Sequence, residues 1–250
     1  MRFRGREWRG DQIEVAVIDS GINTTDPRLK DSTIEGWRVR VEATGHAQLG
    51  ADFHDEHGHG TEVATVIQRD APGAILTGVK VTDSDLQTGP EALAAGIETA
   101  FRHGARVINL SLLATDPGRA QLLRDACSLA REHGAWVVCS GHPFGKPSFP
   151  AAYPETLAVI SHPDCPSGRI FHFDQQQFQE GPFACYRGMF LTHGYSATSE
   201  PVYRGSGLAT ASLSGKLACL LEALPNGHPS EILDALKSQT LCPDPELGFA

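Results

Sequence analysis

Nowhere in its 250 residues does this chain hold the roughly 18–20 consecutive apolar residues that a membrane-spanning helix needs, so it carries no signature of a bilayer protein. Positive charge is in short supply. Lys and Arg number 21 against 30 Asp and Glu, and the formal net charge of -9 argues against nucleic acid as a partner. The Arg-rich opening (Arg2, Arg4, Arg6, Arg9) is too short to reverse that balance, and it reads as a solvated or frayed terminus. Six cysteines (Cys127, Cys139, Cys165, Cys185, Cys219, Cys242) lie scattered, without a CxxC pair or metal-ligand spacing. Residues 1–10 are polar and basic and form no apolar export signal; free thiols without one point to a reducing, cytoplasmic setting. Internal repeats, low-complexity tracts and interdomain linkers are also missing, so the expectation is one domain over 1–250.

What is present is ordinary globular material, 40% hydrophobic and 20% charged, in a strand–helix alternation. Residues 13–18 are apolar and β-branched and end on Asp19-Ser20-Gly21, as a buried parallel strand stopping at a polar turn would. Strand-like runs recur near 37–39 and at 74–81, 106–112, 135–140 and 156–160. Helical spacing appears at 89–103, 121–133, 207–222 and 229–236. This pattern predicts an α/β fold: an open, doubly wound, mostly parallel sheet with helices on both faces, in three layers. Residues 166–199 lack periodicity and read as long surface loops with a short strand near Met189-Phe190-Leu191.

Several side chains stand out. Asp19 closes a strand at its carboxyl end, where α/β proteins build their sites, although alone it reads first as a turn cap. His59 falls in the first turn of a helix opened by Gly58 and continued by Val63, Ala64, Val66 and Ile67. His54, His57 and His59 alternate in a loop, which is weak spacing for a metal, and no metal is assigned. Cys127, Cys139 and Cys219 sit in apolar runs and read as core. Residues 205–215 form a Gly-rich turn entering a helix of small and apolar side chains.

Three separated blocks, 15–21, 57–64 and 205–211, bring an Asp, a His and a Gly-Ser-Gly turn in that order. They resemble the signature blocks of subtilisin-like serine proteases, peptidase family S8, and the resemblance extends over most of 13–222. Val79-Lys80-Val81, Val107 to Leu112 and 148–155 look like further landmarks of that family. The resemblance implies a subtilisin-like fold with Asp19 orienting His59, and His59 as the general base. It also implies an extended peptide bound as an added strand beside Leu110, Ser111 and Leu112, with Ser140 and Gly141 across the cleft. Calcium often stabilises the family, yet no cofactor is expected here, and the acidic trio Asp52, Asp55 and Glu56 names no calcium site.

Two departures shape the functional expectation. The family's Gly-Thr-Ser-Met-Ala aligns without a gap on Gly205-Ser206-Gly207-Leu208-Ala209, so the nucleophile position holds Gly207. The oxyanion asparagine, within Gly-Asn-x-Gly in relatives, falls on Pro143 or, one residue earlier, on His142. In subtilisin, losing the serine costs about 2 × 10⁶ in kcat. Losing the oxyanion amide costs roughly 10²–10³. Ser206, one residue early, is rotated by about 100° on a helix and is a poor substitute. Leu113 stands where the family has glycine and either narrows the substrate pocket or packs against its loop. Three readings stay open: a pseudoprotease that binds peptide or protein segments; a serine endopeptidase altered at position 207 or working through Ser206; and a scaffold subunit of a catalytic partner protein.

Overall fold

The computed structural model describes residues 1–42, 44–83, 86–115, 120–142, 144, 146–162, 165–166, 168–174, 188–194 and 205–240. A short hairpin opens it, β1 (Arg2–Phe3) and β2 (Arg6–Glu7). Then come β3 (Glu14–Asp19), a single 3-10 turn (Pro27–Leu29), β4 (Ile34–Val41), β5 (Ala47–Gly50), α1 (His59–Asp70), β6 (Ile75–Lys80) and α2 (Pro90–Arg102). The remainder is β7 (Val107–Leu110), α3 (Ala120–Glu132), β8 (Trp136–Ser140), β9 (Thr156–Ser161), β10 (Ile170–Asp174), β11 (Gly188–Thr192), α4 (Ser206–Ala223) and α5 (Pro229–Ser238).

Among the described residues nine strands form one sheet in the order β10-β11-β9-β8-β7-β3-β6-β4-β5. Neighbours from β11 to β4 run parallel, and β10 and β5 close the two edges antiparallel. Strand β3 sits where the chain order reverses, with β6 on one side and β7 on the other, which puts its carboxyl end at a switch point of the sheet.

The alternation of side chains along β3 divides the core. Val15 and Val17 face α1, α4 and α5, while Ala16 and Ile18 face α2 and α3. Helix α4 explains its own sequence. Every residue from Leu208 to Leu221 is buried, because the helix lies between the sheet and the α1 and α5 helices. A helix enclosed on all sides has no polar stripe to show. Its Gly215 lets α1 approach closely, since a Cβ there would stand 2.9 Å from Asp70 Cβ.

The α/β expectation holds, with two local corrections. The Arg-rich terminus is solvated, with Arg2, Arg4, Arg6 and Arg9 exposed, but it is paired as a hairpin and not frayed. Phe3 is buried in the core, Trp8 Nε1 donates to its carbonyl at 3.1 Å, and Arg4 and Arg6 lie over the Phe3 and Trp8 rings. Strand β5 is exposed throughout and shows no apolar run, so nothing in the sequence marks it, while β10 falls in the segment expected as surface loops and yet buries Ile170, Phe171 and Phe173. Residues 175–187 and 195–199 of the aromatic segment lie outside the described residues.

Candidate active site

Asp19 is the last residue of β3 and fully buried; His59 is the first residue of α1. They meet because Gly60 lets the helix start close against the turn after β3: a Cβ at Gly60 would overlap the Gly21 carbonyl oxygen. His59 Nδ1 lies 2.8 Å from Asp19 Oδ1 and 2.9 Å from Oδ2. A carboxylate can only accept, so Nδ1 carries the proton and the neutral ring keeps its lone pair on Nε2. Burial opposes the charged imidazolium, but the Asp19 charge and hydrogen bond, with Asp55 and Glu62 further off, raise the His59 pKa above its ordinary value.

The dyad is held by Asp55, which the sequence shows only as one of an acidic trio with no role. Asp55 Oδ1 accepts from Ser20 Oγ (2.8 Å), His57 N (3.0 Å) and Gly58 N (2.8 Å). Its Oδ2 accepts from Thr61 N (2.8 Å) and Thr61 Oγ1 (2.5 Å). Ser20 Oγ also contacts Asp19 Oδ1 (3.2 Å) and receives Gly60 N–H (3.0 Å). One carboxylate thus ties the loop before α1, the helix start and the turn after β3 into a single network. Burial pushes the Asp55 pKa up, and the hydrogen bonds from Thr61, Gly58 and Ser20 outweigh it and hold the pKa below the ordinary value. The sequence signal was Asp55 at a short interval before a Gly-His-Gly-Thr turn, where it can cap the helix that follows.

Gly207 lies in the first turn of α4, opposite the dyad. A Cβ built on it would stand 3.2 Å from His59 Nε2 and 3.2 Å from Ser111 Cβ. Position 207 is therefore the one from which a short side chain would meet the basic nitrogen. Ser206 is otherwise engaged: its Oγ accepts from Ser161 N at 3.3 Å, on β9. The N–H groups of the first α4 turn, with no side-chain cap at Gly205, point out of the helix start beside this space.

Leu110 is buried at the end of β7, and Ser111, Leu112 and Leu113 are half-buried beyond it. Asn109 Nδ2 donates to Ser111 Oγ (2.9 Å), which donates to the Gly207 carbonyl (3.3 Å). Among the described residues the main-chain groups of 111–113 take no main-chain partner; pairing resumes at Ala114 with Phe149. Ser140 Oγ is 3.0 Å from Thr210 Oγ1, and Gly141 N donates to Val159 O at 2.8 Å, so both are fixed at the floor. At the oxyanion position His142 Nδ1 accepts from Phe144 N at 3.2 Å, and Pro143 lies outside the described residues. Beyond the end of β6 a pocket of about 600 Å³ opens between Arg38, Val81, Thr82, Gln87 and Gly89. Among the described residues no His, Cys, Asp and Glu side chains group to hold a metal ion.

The comparisons with known proteins bear on the family and the fold. The profile of the subtilase family, Peptidase S8, matches residues 10–247. The chain belongs to the subtilase family. Fervidolysin of Fervidobacterium pennivorans is 28% identical over 270 residues, an alignment covering 93% of this chain and 38% of that protein. Subtilisin BL of Lederbergia lenta is 28% identical over 240 residues, covering 92% and 83%. Among solved structures, the Prenylagaramide maturation protease PagA superposes with a TM-score of 0.66 at 22% identity, covering 93% of this subtilase and 96% of its own chain.

Proposed function

We propose that this subtilase is a pseudoprotease that binds an extended peptide in the cleft over Ser111–Leu113 without cutting it efficiently. One observation carries the reading. The Asp19–His59 dyad is assembled, and the position facing Nε2 is a glycine with no atom able to attack a carbonyl. Main-chain groups at 111–113 that take no main-chain partner among the described residues support strand addition as the binding mode. The likeness to a maturation protease favours a precursor-type peptide as the occupant.

A second reading rests on the same dyad. A base held this way serves an active endopeptidase once position 207 carries a hydroxyl. Ser206 is the weaker route, since its Oγ is already used by Ser161 N. The test is cleavage of a labelled peptide library by the chain as it stands, by Gly207→Ser, and by Gly207→Ser with Pro143→Asn. The expected result is binding without turnover for the first and cleavage for the double variant. The single variant should lie about 10²–10³-fold below the double one, the known cost of one missing oxyanion donor. Turnover by the unaltered chain that vanishes on Ser206→Ala would overturn the proposal.

A further inference from the structure

Away from the dyad, four cations converge on a pocket of about 420 Å³ between the hairpin, the end of α1, the middle of α4 and the start of β10. Arg2, Arg69, Arg169 and Lys216 line it, with Asp70 as a carboxylate among them. In a chain of net charge -9 this local excess runs against the overall balance. Asp70 cannot neutralise it. It accepts from Arg69 Nε (2.8 Å) and Nη2 (3.1 Å), from Ser212 Oγ (2.6 Å) and from Lys216 Nζ (3.1 Å), so one negative charge already serves two cations. Burial raises the Asp70 pKa, but Arg69, Lys216 and Ser212 hold it below the ordinary value, and it remains a carboxylate.

The Lys216 side chain is only 11% exposed, and its second acceptor is Ser212 Oγ at 3.0 Å. An ammonium has three donors, so one is left over from Asp70 and Ser212. The Arg2 and Arg169 guanidiniums form no ion pair and no side-chain hydrogen bond among the described residues. The site thus has surplus positive charge, planar donors suited to bidentate oxyanion contact, and the volume of a small-molecule pocket. It is also separate from the cleft, since Asp70 stands at the far end of α1 from His59, about 16 Å along the helix axis.

We propose that this pocket binds a small multivalent phosphate, either the free ion or the phosphoryl group of a metabolite. Pyrophosphate, inorganic phosphate and a sugar phosphate are titrated into the whole chain by calorimetry, with sodium chloride at matched ionic strength as the reference. Pyrophosphate should bind saturably at one site, and Arg169→Gln and Arg2→Gln should each weaken its Kd about tenfold. The exposed Arg102→Gln, on α2 and paired with Glu98, should leave it unchanged. A sugar phosphate tighter than inorganic phosphate assigns the metabolite source, and the reverse assigns the free ion. Heat no greater than that of chloride, or equal loss with Arg102→Gln, overturns the proposal. Both substituted arginines are exposed, so loss of fold does not confuse the result, and a circular dichroism melt of each variant checks it.

Discussion

At the scale of single residues, the telling contrast is between what holds His59 and what faces it. Asp19 and Asp55 were both visible in the sequence, but only Asp19 was legible as part of a site. Its cue was local, a carboxylate ending an apolar run. The partners of Asp55 include Ser20, a residue 35 positions earlier, and no periodicity reports a bond of that span. Asp55→Asn is expected to leave buried N–H and O–H groups poorly matched, costing about 2 kcal/mol by urea denaturation. The same substitution should lower the His59 pKa as followed by NMR, because one supporting negative charge is gone. The sign for stability follows from the raised pKa of His59. Its contribution is complete below the ordinary imidazole value near 6.5 and is lost as pH rises through the folded value. Asp19→Asn should abolish that dependence.

Among the elements, the central strands and the helices were readable because each buries a face, and burial writes a period into the sequence. Edge strand β5 and the β1–β2 hairpin left no such trace: all of β5 is exposed, and only Phe3 is buried in the hairpin, whereas β10 buries Ile170, Phe171 and Phe173 over a run too short to set a period. Ser212 carried a similar lesson. A polar residue inside a buried helix, it joins α4 to Asp70 on α1, a bond that no local pattern reports. The α1–α4 contact also decides an otherwise ambiguous substitution. By propensity, Gly215→Ala inside a helix should gain about 1 kcal/mol. The new methyl would stand 2.9 Å from Asp70 Cβ and 3.1 Å from the Ile67 carbonyl oxygen, neither of which is the end of a flexible side chain. Overpacking of this kind costs about 1–3 kcal/mol, so the net effect should be destabilising, read as a lower denaturation midpoint at unchanged m-value.

For the molecule as a whole, the pattern of titrating groups predicts a stability plateau with two falling limbs. Asp55 and Asp70 are held below their ordinary value, so their contributions are present above about pH 4 and disappear as pH falls through the folded values. On the alkaline side, burial pushes Cys139 up to about 12 and Cys165 up to about 11. Tyr153 is likewise raised by burial to about 12. These groups stay neutral in the fold while the unfolded chain ionises, so their contribution is intact below about pH 8.5 and declines above it, after the His59 contribution has already gone. A melting-temperature series from pH 3 to 11 checks both limbs, and a Cys139→Ser variant should soften the upper one.

Order of synthesis gives the enclosure of α4 a cost that equilibrium measurements miss. Among the described residues every strand of the sheet precedes residue 206, so the ribosome releases that strand set before the helix that covers one of its faces. Until α4 emerges, the Val15, Val17, Val107 and Val138 side of the nascent sheet is bare of that cover, and such a face is open to aggregation. Premature termination shortly before that point would leave a sticky fragment rather than a smaller working protein, and chaperone demand should peak in that interval.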